Sequence, residues 1–280
     1  MICRRCRIGR RRWKTFLSGV LFGDGMIKRD ELTAFLDAQL KLADFSGDVS
    51  NNGLQVEGSG EVRKMLFAVD GCQDIFTQAA GMHCDFIFVH HGISWGGGIK
   101  RWVGCDARRF ATLFKNDISL YAAHLPLDAH EEFGNNAVLC RYAGVSVREK
   151  FFRYAGVEIG FAGMLDTPLP LGELAKQVSA PLGGAYQLRG DAGKLCRKAA
   201  IVSGGGGIDA VYDAANAQCD VLITGEMEHI MHHAALECGV AVIALGHYAS
   251  ETTGPKALMA HVQAHFPELE TVFAESPTGL

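Results

Sequence analysis

The sequence predicts an α/β fold in which most of the strands run parallel. From residue 26 onward, short apolar runs alternate with amphipathic segments of helical spacing. That alternation is typical of β–α–β units. The apolar runs are rich in β-branched and aromatic residues, and several end in a histidine. Because ligands bind at the carboxyl ends of parallel strands, a functional site is expected at these ends.

Residues 26–150 are predicted to form a first α/β lobe. Helices are predicted over residues 30–43, 73–82 and 107–116, from apolar residues at helical spacing. Asp30 and Glu31 suit the positive N-terminal end of the first helix. Strands are predicted over residues 64–70, 86–90 and 118–124, and an extended segment follows the turn at residues 51–53.

Residues 151–280 repeat this style and are predicted to form a second α/β lobe, whose C-terminal residues return to the site described below. Strands and turns are predicted over residues 153–170, and further strands over 197–203, 220–225 and 240–245. Helices are predicted over residues 172–180, 208–217, 228–238 and 254–265.

Residues 1–25 differ from the rest of the chain. Seven of the first 14 residues are Arg or Lys and none is acidic, which is typical of an organellar presequence. The alternative is that translation begins at Met26, which opens a clean amphipathic helix, and we favour this misplaced start. Either way the segment is excluded from the fold. Cys3 and Cys6 form a lone CxxC without a second pair, so neither a zinc site nor a redox site is predicted there.

Composition excludes several classes of protein. The 280 residues are 48% hydrophobic and 21% charged, with a formal net charge of −4, so neither nucleic acid nor a membrane surface is the expected partner. No apolar stretch approaches the roughly 20 residues that span a bilayer. The nine cysteines are an odd number without the spacing of a disulfide scaffold, which favours reduced thiols and a cytoplasmic protein.

The apolar run at residues 86–89 stops at two adjacent histidines, His90 and His91. Successive side chains of a strand point to opposite faces, so both can serve one site only if the backbone turns there, as Gly92 allows. Two neighbouring imidazoles suit a pair of metal ions better than one ion. For this pair alone, histidines that are merely packed or solvated at a loop are an equally good explanation.

Two later segments add carboxylates at strand ends. After His124, Pro126 ends regular pairing and holds Asp128 near the end of its strand. His247 and Glu251 follow another strand, and their spacing puts both on one face of a helical turn. Together with the two earlier histidines, Asp128, His247 and Glu251 supply mixed nitrogen and oxygen ligands for two divalent ions. For the five residues together, a metal site is therefore favoured over side chains that are merely packed or solvated.

Two other patterns are weaker. Glu226, His229 and His233 would share one face of a helix and could bind metal or line a pocket, but they lack the HExxH order and could equally form a polar surface. The four glycines at 204–207 precede a helix and could cradle a phosphate, although a tight turn between a strand and a helix is favoured.

The chain resembles the NIF3-like family from Met26 to its end, because several short motifs occur in the family's order. They are Asn52-Gly53-Leu54-Gln55-Val56, His90-His91-Gly92, His124-Leu125-Pro126-Leu127-Asp128 with Gly134-Asn135-Asn136, Ile223-Thr224-Gly225-Glu226, and Gly246-His247 through Glu251. The number of ordered motifs makes the resemblance specific. Tyr248 stands where many members have a second histidine, and residues 1–25 lie outside the family pattern.

The resemblance implies a dinuclear metal protein of the kind named GTP cyclohydrolase 1 type 2 homologue. It implies two interlinked α/β lobes, and a ring-shaped homohexamer as in bacterial members. The implied metal ligands are His90, His91, Asp128, His247 and Glu251. This ligand set accepts Zn, Fe, Mn, Co or Ni, so it does not identify the native metal.

Such a site supports a hydrolase. Two divalent ions lower the pKa of a shared water toward about 7 and polarise the group that it attacks. His124 is predicted to orient a ligand or to transfer a proton. A nucleotide such as GTP, or another phosphorylated substrate, would also need an apolar wall, for which Trp95, Phe133 and Tyr248 are candidates. The alternative is a metal-binding protein that acts through protein partners without catalysis.

Overall fold

The computed structural model describes residues 25–280, which form two large sheets covered by helices. The predicted N-terminal extension lies, as far as residue 24, outside the described residues, and so does the Cys3/Cys6 pair. The seven described cysteines are all free thiols.

The first sheet has five strands, of which four are parallel. In spatial order they are β13 (Glu270–Phe273), β4 (Lys64–Asp70), β5 (Phe86–His91), β6 (Ser119–Ala122) and β2 (Gly53–Val56). Only the edge strand β2 runs antiparallel to its neighbour. The carboxyl ends of β4, β5 and β6 therefore lie side by side.

The second sheet has six strands and a parallel centre. In spatial order they are β7 (Arg148–Tyr154), β8 (Val157–Pro170), β10 (Leu195–Val202), β11 (Val221–Thr224), β12 (Ala241–Ala244) and β9 (Gln187–Arg189). The strands β10, β11 and β12 are parallel, and antiparallel strands flank them on both sides. A separate pair of short strands, β1 (Ile27–Lys28) and β3 (Glu61–Val62), lies at the start of the described chain.

Ten α-helices connect and cover the described strands. They are α1 (Arg29–Leu40), α2 (Gln73–Gly81), α3 (Gly104–Lys115), α4 (Leu125–Asp128), α5 (Asn135–Ala143), α6 (Leu171–Ser179), α7 (Gly207–Asn216), α8 (Met231–Cys238), α9 (His247–Glu251) and α10 (Thr253–His265). Two 3₁₀ helices are at Leu42–Phe45 and Ala180–Leu182. Within residues 25–280, no helix has the length and apolarity needed to cross a membrane.

The strand β5 illustrates why the sheets are layered. Phe86 and Phe88 pack on one side with residues of α1 and α10, while Ile87 and Val89 pack on the other with residues of α2 and α3. Side chains of a strand alternate between faces, so a run of five buried residues requires helices on both. Burying each large apolar side chain contributes about 1.5–3 kcal/mol of stability. The strand therefore holds the residues at its carboxyl end firmly in place.

The two sheets exchange helices, and this interlinks the lobes. α5 comes from the first part of the chain but packs in the core of the second sheet. Conversely, α10 and β13 come from the last part of the chain and complete the first sheet. The predicted α/β class with interlinked lobes and mainly parallel or mixed sheets is therefore confirmed. The region 151–280 contains the whole second sheet apart from the first residues of β7, together with these two elements of the first.

Candidate metal centre

The centre lies where the carboxyl ends of strands from both sheets meet. His90 and His91 end β5, Asp128 is in the short helix after β6, and His247 and Glu251 are in the helix after β12. Pro126 near the start of α4 has the fixed backbone angle that a first helical turn tolerates.

The structure brings together all five predicted ligand residues. His90 Nε2 lies 3.6 Å from Asp128 Oδ1 and 3.5 Å from Glu251 Oε1. His91 Nε2 lies 3.3 Å from Glu251 Oε2, and His247 Nε2 lies 3.2 Å from Glu251 Oε1. The carboxylate of Glu251 is thus the common neighbour of three imidazoles.

The adjacent histidines reach one site because their rings lean toward different neighbouring strands. His90 Nδ1 contacts the carbonyl oxygen of Ala123, just after β6, and His91 Nδ1 contacts Asp70, the last residue of β4. The ring centroids are 4.5 Å apart. The strand continues through His91 and ends before Gly92, so the two imidazole rings converge at the end of the strand.

Four histidines share one construction, in which Nδ1 contacts an oxygen acceptor. The pairs are His90 with the carbonyl oxygen of Ala123 (2.9 Å), His91 with Asp70 (2.8 Å), His124 with Asp48 (2.9 Å) and His247 with Glu226 (2.7 Å). In the neutral ring, an acceptor at Nδ1 assigns the proton to that nitrogen, which leaves the lone pair on Nε2. This is the arrangement by which proteins orient metal-binding imidazoles.

His90, Asp128 and Glu251 are buried at the centre, whereas His91 and His247 are partly exposed. Burial alone would lower the pKa of His90, but the facing carboxylates of Asp128 and Glu251 outweigh it and raise that pKa to about 10. The contact with Glu251 raises the pKa of His247 to about 9. Burial would raise the pKa of Glu251, but His90 and His247 hold it well below its usual range. The carboxylates therefore require nearby positive charge, from protons or from a cation.

The donor set fits a metal ion. Within residues 25–280, His90 Nε2 and Glu251 Oε2 are buried side-chain atoms without a hydrogen-bond partner. The nitrogen-to-oxygen separations of 3.2–3.6 Å are long for hydrogen bonds. Two ligands that each lie about 2.1 Å from a shared ion are about 3.0–3.5 Å apart. These separations therefore suit coordination of a shared cation.

Among residues 25–280, two overlapping groups of side chains could hold a metal ion. One contains His90, His91 and His124, and the other contains His91, His247 and Glu251, with ligand atoms within 4.8 Å of one another in each group. His91 belongs to both. The ring of His124 lies 5.2 Å from that of His90 and 5.6 Å from that of His91. Its predicted role as an orienting or proton-transferring residue stays a prediction.

Asp128 is held by polar side chains at the junction of the sheets. Its Oδ1 accepts hydrogen bonds from Asn135 Nδ2 (2.8 Å) and from Ser203 Oγ (3.0 Å). Asn136 Nδ2 donates to the carbonyl oxygen of Ile159 (2.8 Å). All of these polar side chains are buried, so the position of Asp128 is tied to the packing of both sheets.

The glycine turn at 204–207 connects β10 to α7 and touches the centre. Gly204 has φ +61°, and a Cβ atom there would overlap Glu251 Oε1. Gly205 and Gly206 continue the turn, and α7 begins at Gly207. The turn admits the Glu251 carboxylate because its first residue has no side chain.

The second candidate metal cluster, formed by Glu226, His229 and His233, is not assembled. α8 begins at Met231, so Glu226 and His229 precede it and share no helical face with His233. His229 and His233 are exposed. Glu226 is instead a partner of His247, a role that its strand-end position beside β12 would have indicated.

Only one of the three predicted aromatic wall residues lies at the centre. The Trp95 ring is 5.1 Å from that of His124 and 6.0 Å from that of His91. Phe133 is buried and stacks on His130, which is not one of the five ligand residues. Tyr248 is also buried, and its hydroxyl accepts a hydrogen bond from the backbone of Ser276.

Comparisons with known proteins identify the family to which the chain is similar. The sequence model of the Duf34/NIF3 family (NGG1p interacting factor 3) matches residues 27–278. An Archaeoglobus fulgidus protein named GTP cyclohydrolase 1 type 2 homolog is 45% identical over 251 residues, covering 89% of this chain and 98% of its own.

Two solved structures are similar over the same region. That of ybgI, a protein of unknown function, has a TM-score of 0.83 and 34% identity over 91% of this chain and 100% of the other. A Thermus thermophilus protein has a TM-score of 0.76 and 40% identity, with the same coverage of both chains. The family match and these relatives confirm the resemblance drawn from the motifs, and the chain belongs to the Duf34/NIF3 family.

Proposed function

We propose that this protein is a metal-dependent hydrolase whose centre binds two divalent cations. The ligands would be His90, His91, Asp128, His247 and Glu251. The observation that carries the proposal is the set of imidazoles whose Nδ1 atoms contact oxygen acceptors, around the buried atoms His90 Nε2 and Glu251 Oε2, which have no hydrogen-bond partner. When bound, two such ions supply a water of lowered pKa and polarise the bond to be hydrolysed.

The residues around the ligands would orient them and handle protons. Asp48 accepts from His124 Nδ1, so a proton that His124 takes up or releases would be at Nε2. Burial would raise the pKa of Asp48, but hydrogen bonds from His124 and Asn52 lower it to about 2, so it stays a carboxylate. The Trp95 ring beside His124 would exclude water from one side of the site.

The proposed substrate class is a nucleotide, with GTP as the first candidate. Relatives of 35–45% identity carry the name GTP cyclohydrolase 1 type 2 homolog, and the centre suits hydrolysis. A related phosphorylated substrate belongs to the same proposal, because phosphate oxygens also bind divalent ions. We further propose a cytoplasmic homohexamer, for which light scattering during gel filtration would detect six chains per particle.

The test combines metal content with turnover. Protein purified without added metal would be analysed for elements and assayed on GTP and simple phosphoesters, with His91→Ala and Glu251→Ala as variants. We expect about two ions per chain and turnover in the wild type, and loss of both in each variant. His229→Ala is the matched control, since His229 is exposed and outside the centre. Absence of bound metal after reconstitution would refute the proposal.

The alternative function is a metal-binding protein that acts through protein partners. The family description, NGG1p interacting factor 3, names an interaction and motivates this alternative. Two ions per chain without turnover of any tested substrate would favour it. Five side chains for two ions leave coordination positions for water, which favours catalysis.

A further inference from the structure

A recess of about 640 Å³ lies beside the metal centre, at the carboxyl ends of β11 and β12. The side chains that line it include Leu182, Tyr186, Met227, Glu228, Leu245 and Leu280. Ligands of parallel sheets bind at this edge. None of these side chains belongs to the five proposed metal ligands.

Glu226 is the boundary between the recess and the centre. Its Oε1 contacts His247 Nδ1 at 2.7 Å, and the same side chain lines the recess. Gly246 and Tyr248, on either side of His247 in sequence, line it as well. Glu226 therefore links the recess to the centre through its contact with His247.

The walls of the recess suit a flat ring. Tyr186 is 37% exposed, so its ring is available for stacking, and Met227 adds a polarisable thioether. Residues of the segment 277–280 also line the recess. Leu280 is held there because its carbonyl oxygen accepts a hydrogen bond from the backbone of Tyr248 at 3.3 Å.

The charge of the recess selects ligands that donate hydrogen bonds. Its described lining contains the carboxylates of Glu226 and Glu228 and no Lys or Arg. Glu226 is occupied by His247, whereas the exposed Glu228 carboxylate makes no hydrogen bond or ion pair with any residue in the range 25–280. Such a wall repels phosphate and accepts N–H groups, which bind carboxylates in charge-assisted hydrogen bonds.

We propose that this recess binds the donor edge of a flat nitrogen heterocycle, with Glu228 as the acceptor and Tyr186 as the stacking surface. A guanine ring offers such an edge, because its N1–H and 2-amino groups can both donate to one carboxylate. Adenine offers no such pair. The inference rests on the proposed nucleotide hydrolase and adds to it the residues that select the base.

The test is calorimetric titration of the full chain, equilibrated with Zn²⁺, with GMP, IMP and AMP. The three nucleotides share sugar and phosphate, so differences report on the base. We expect GMP to bind most tightly, IMP less tightly because it lacks the 2-amino group, and AMP least. In Glu228→Gln, the amide NH₂ opposes the donor edge, so GMP affinity should fall at least about tenfold and approach that for AMP. Tyr186→Ala should weaken all three, and Tyr186→Phe should preserve binding.

Glu237→Gln is the charge-matched control, since Glu237 is exposed in α8 and does not line the recess. Equal affinities of the wild type for GMP and AMP would overturn the inference, as would equal effects of the Glu228 and Glu237 variants. Metal content and GTP turnover, measured on the same samples, separate the two proposals. Turnover without base preference would refute the recess alone, whereas base preference without metal or turnover would refute the hydrolase alone.

Discussion

The carboxylate of Asp70 offers a direct test of how the histidines are oriented for a cation. It lies 2.8 Å from His91 Nδ1, and the other ring nitrogen of His91 faces Glu251 at 3.3 Å. Asp70→Asn keeps the shape of the side chain but removes its charge. The hydrogen bond that fixes the ring proton and raises the basicity of Nε2 should therefore weaken.

The magnitude follows from the role of the contact. Loss of a carboxylate partner of a metal-bound imidazole typically lowers metal affinity by about 10- to 100-fold, or about 1.4–2.7 kcal/mol. His91 belongs to both groups that could hold metal, so binding of both proposed ions should weaken. Competition with a chelating dye measures the affinity of each ion.

The matched control for this measurement is Asp74→Asn. Asp74 is an exposed residue of α2 that accepts a hydrogen bond from Gln78 and contacts no histidine of the centre. The Asp74→Asn substitution removes the same charge four residues further along the chain, so it should leave metal affinity nearly unchanged. If both variants weakened binding equally, the orienting role of Asp70 would be wrong and a general charge effect would explain the result.

Three further predictions test the surroundings of the centre. Gly204→Ala should abolish metal binding and destabilise the fold by at least about 1 kcal/mol, because a Cβ would overlap Glu251. Gly239→Ala is the control, since Gly239 also has a positive φ but has open space around it, and this variant should lose stability without losing metal. Asn135→Ala should lower the free energy of unfolding by about 1–3 kcal/mol and weaken metal binding, since Asp128 and the backbone N–H of Gly254 lose a buried partner; an unchanged melting curve would contradict this. In metal-free protein, the pKa values of His90 (about 10) and His247 (about 9) exceed their usual 6.5, so their stabilising contacts are complete below pH 6.5 and are lost as the pH rises through 9–10. Thermal melts at increasing pH should show this loss of stability after EDTA treatment and a much smaller loss with metal bound. Parallel plots of melting temperature against pH for the two samples would refute the prediction.

The sequence predicts much of the fold because the core strands carry their signal locally. The run ending at His90 and His91 is apolar on both faces, as a strand between two helical layers must be. The same rule, that ligands gather at the ends of parallel strands, predicts the five residues that converge. It would also have found Asp70, the last residue of β4, whose neighbour is His91.

Other parts of the centre depend on contacts that no local pattern reveals. Asp48 lies in a loop, 76 residues before His124, and only tertiary packing brings the two together. Ser203 reaches Asp128 across 75 residues in the same way. No helix is predicted over residues 135–143, and the packing of α5 on the second sheet is equally hidden, because the apolar face of a helix does not indicate which sheet it will cover.

The position of the centre has a consequence for stability as well as for chemistry. Glu251 and His247 follow the second sheet, whereas His90 and His91 end a strand of the first, and the contacts between them cross the junction. Burying Glu251 without nearby positive charge would be costly, since a buried carboxylate needs compensation. A cation shared by these side chains would hold the two sheets together at the junction that their strand ends form. Metal binding and the packing of the lobes should therefore be thermodynamically coupled, so that a ligand substitution weakens both.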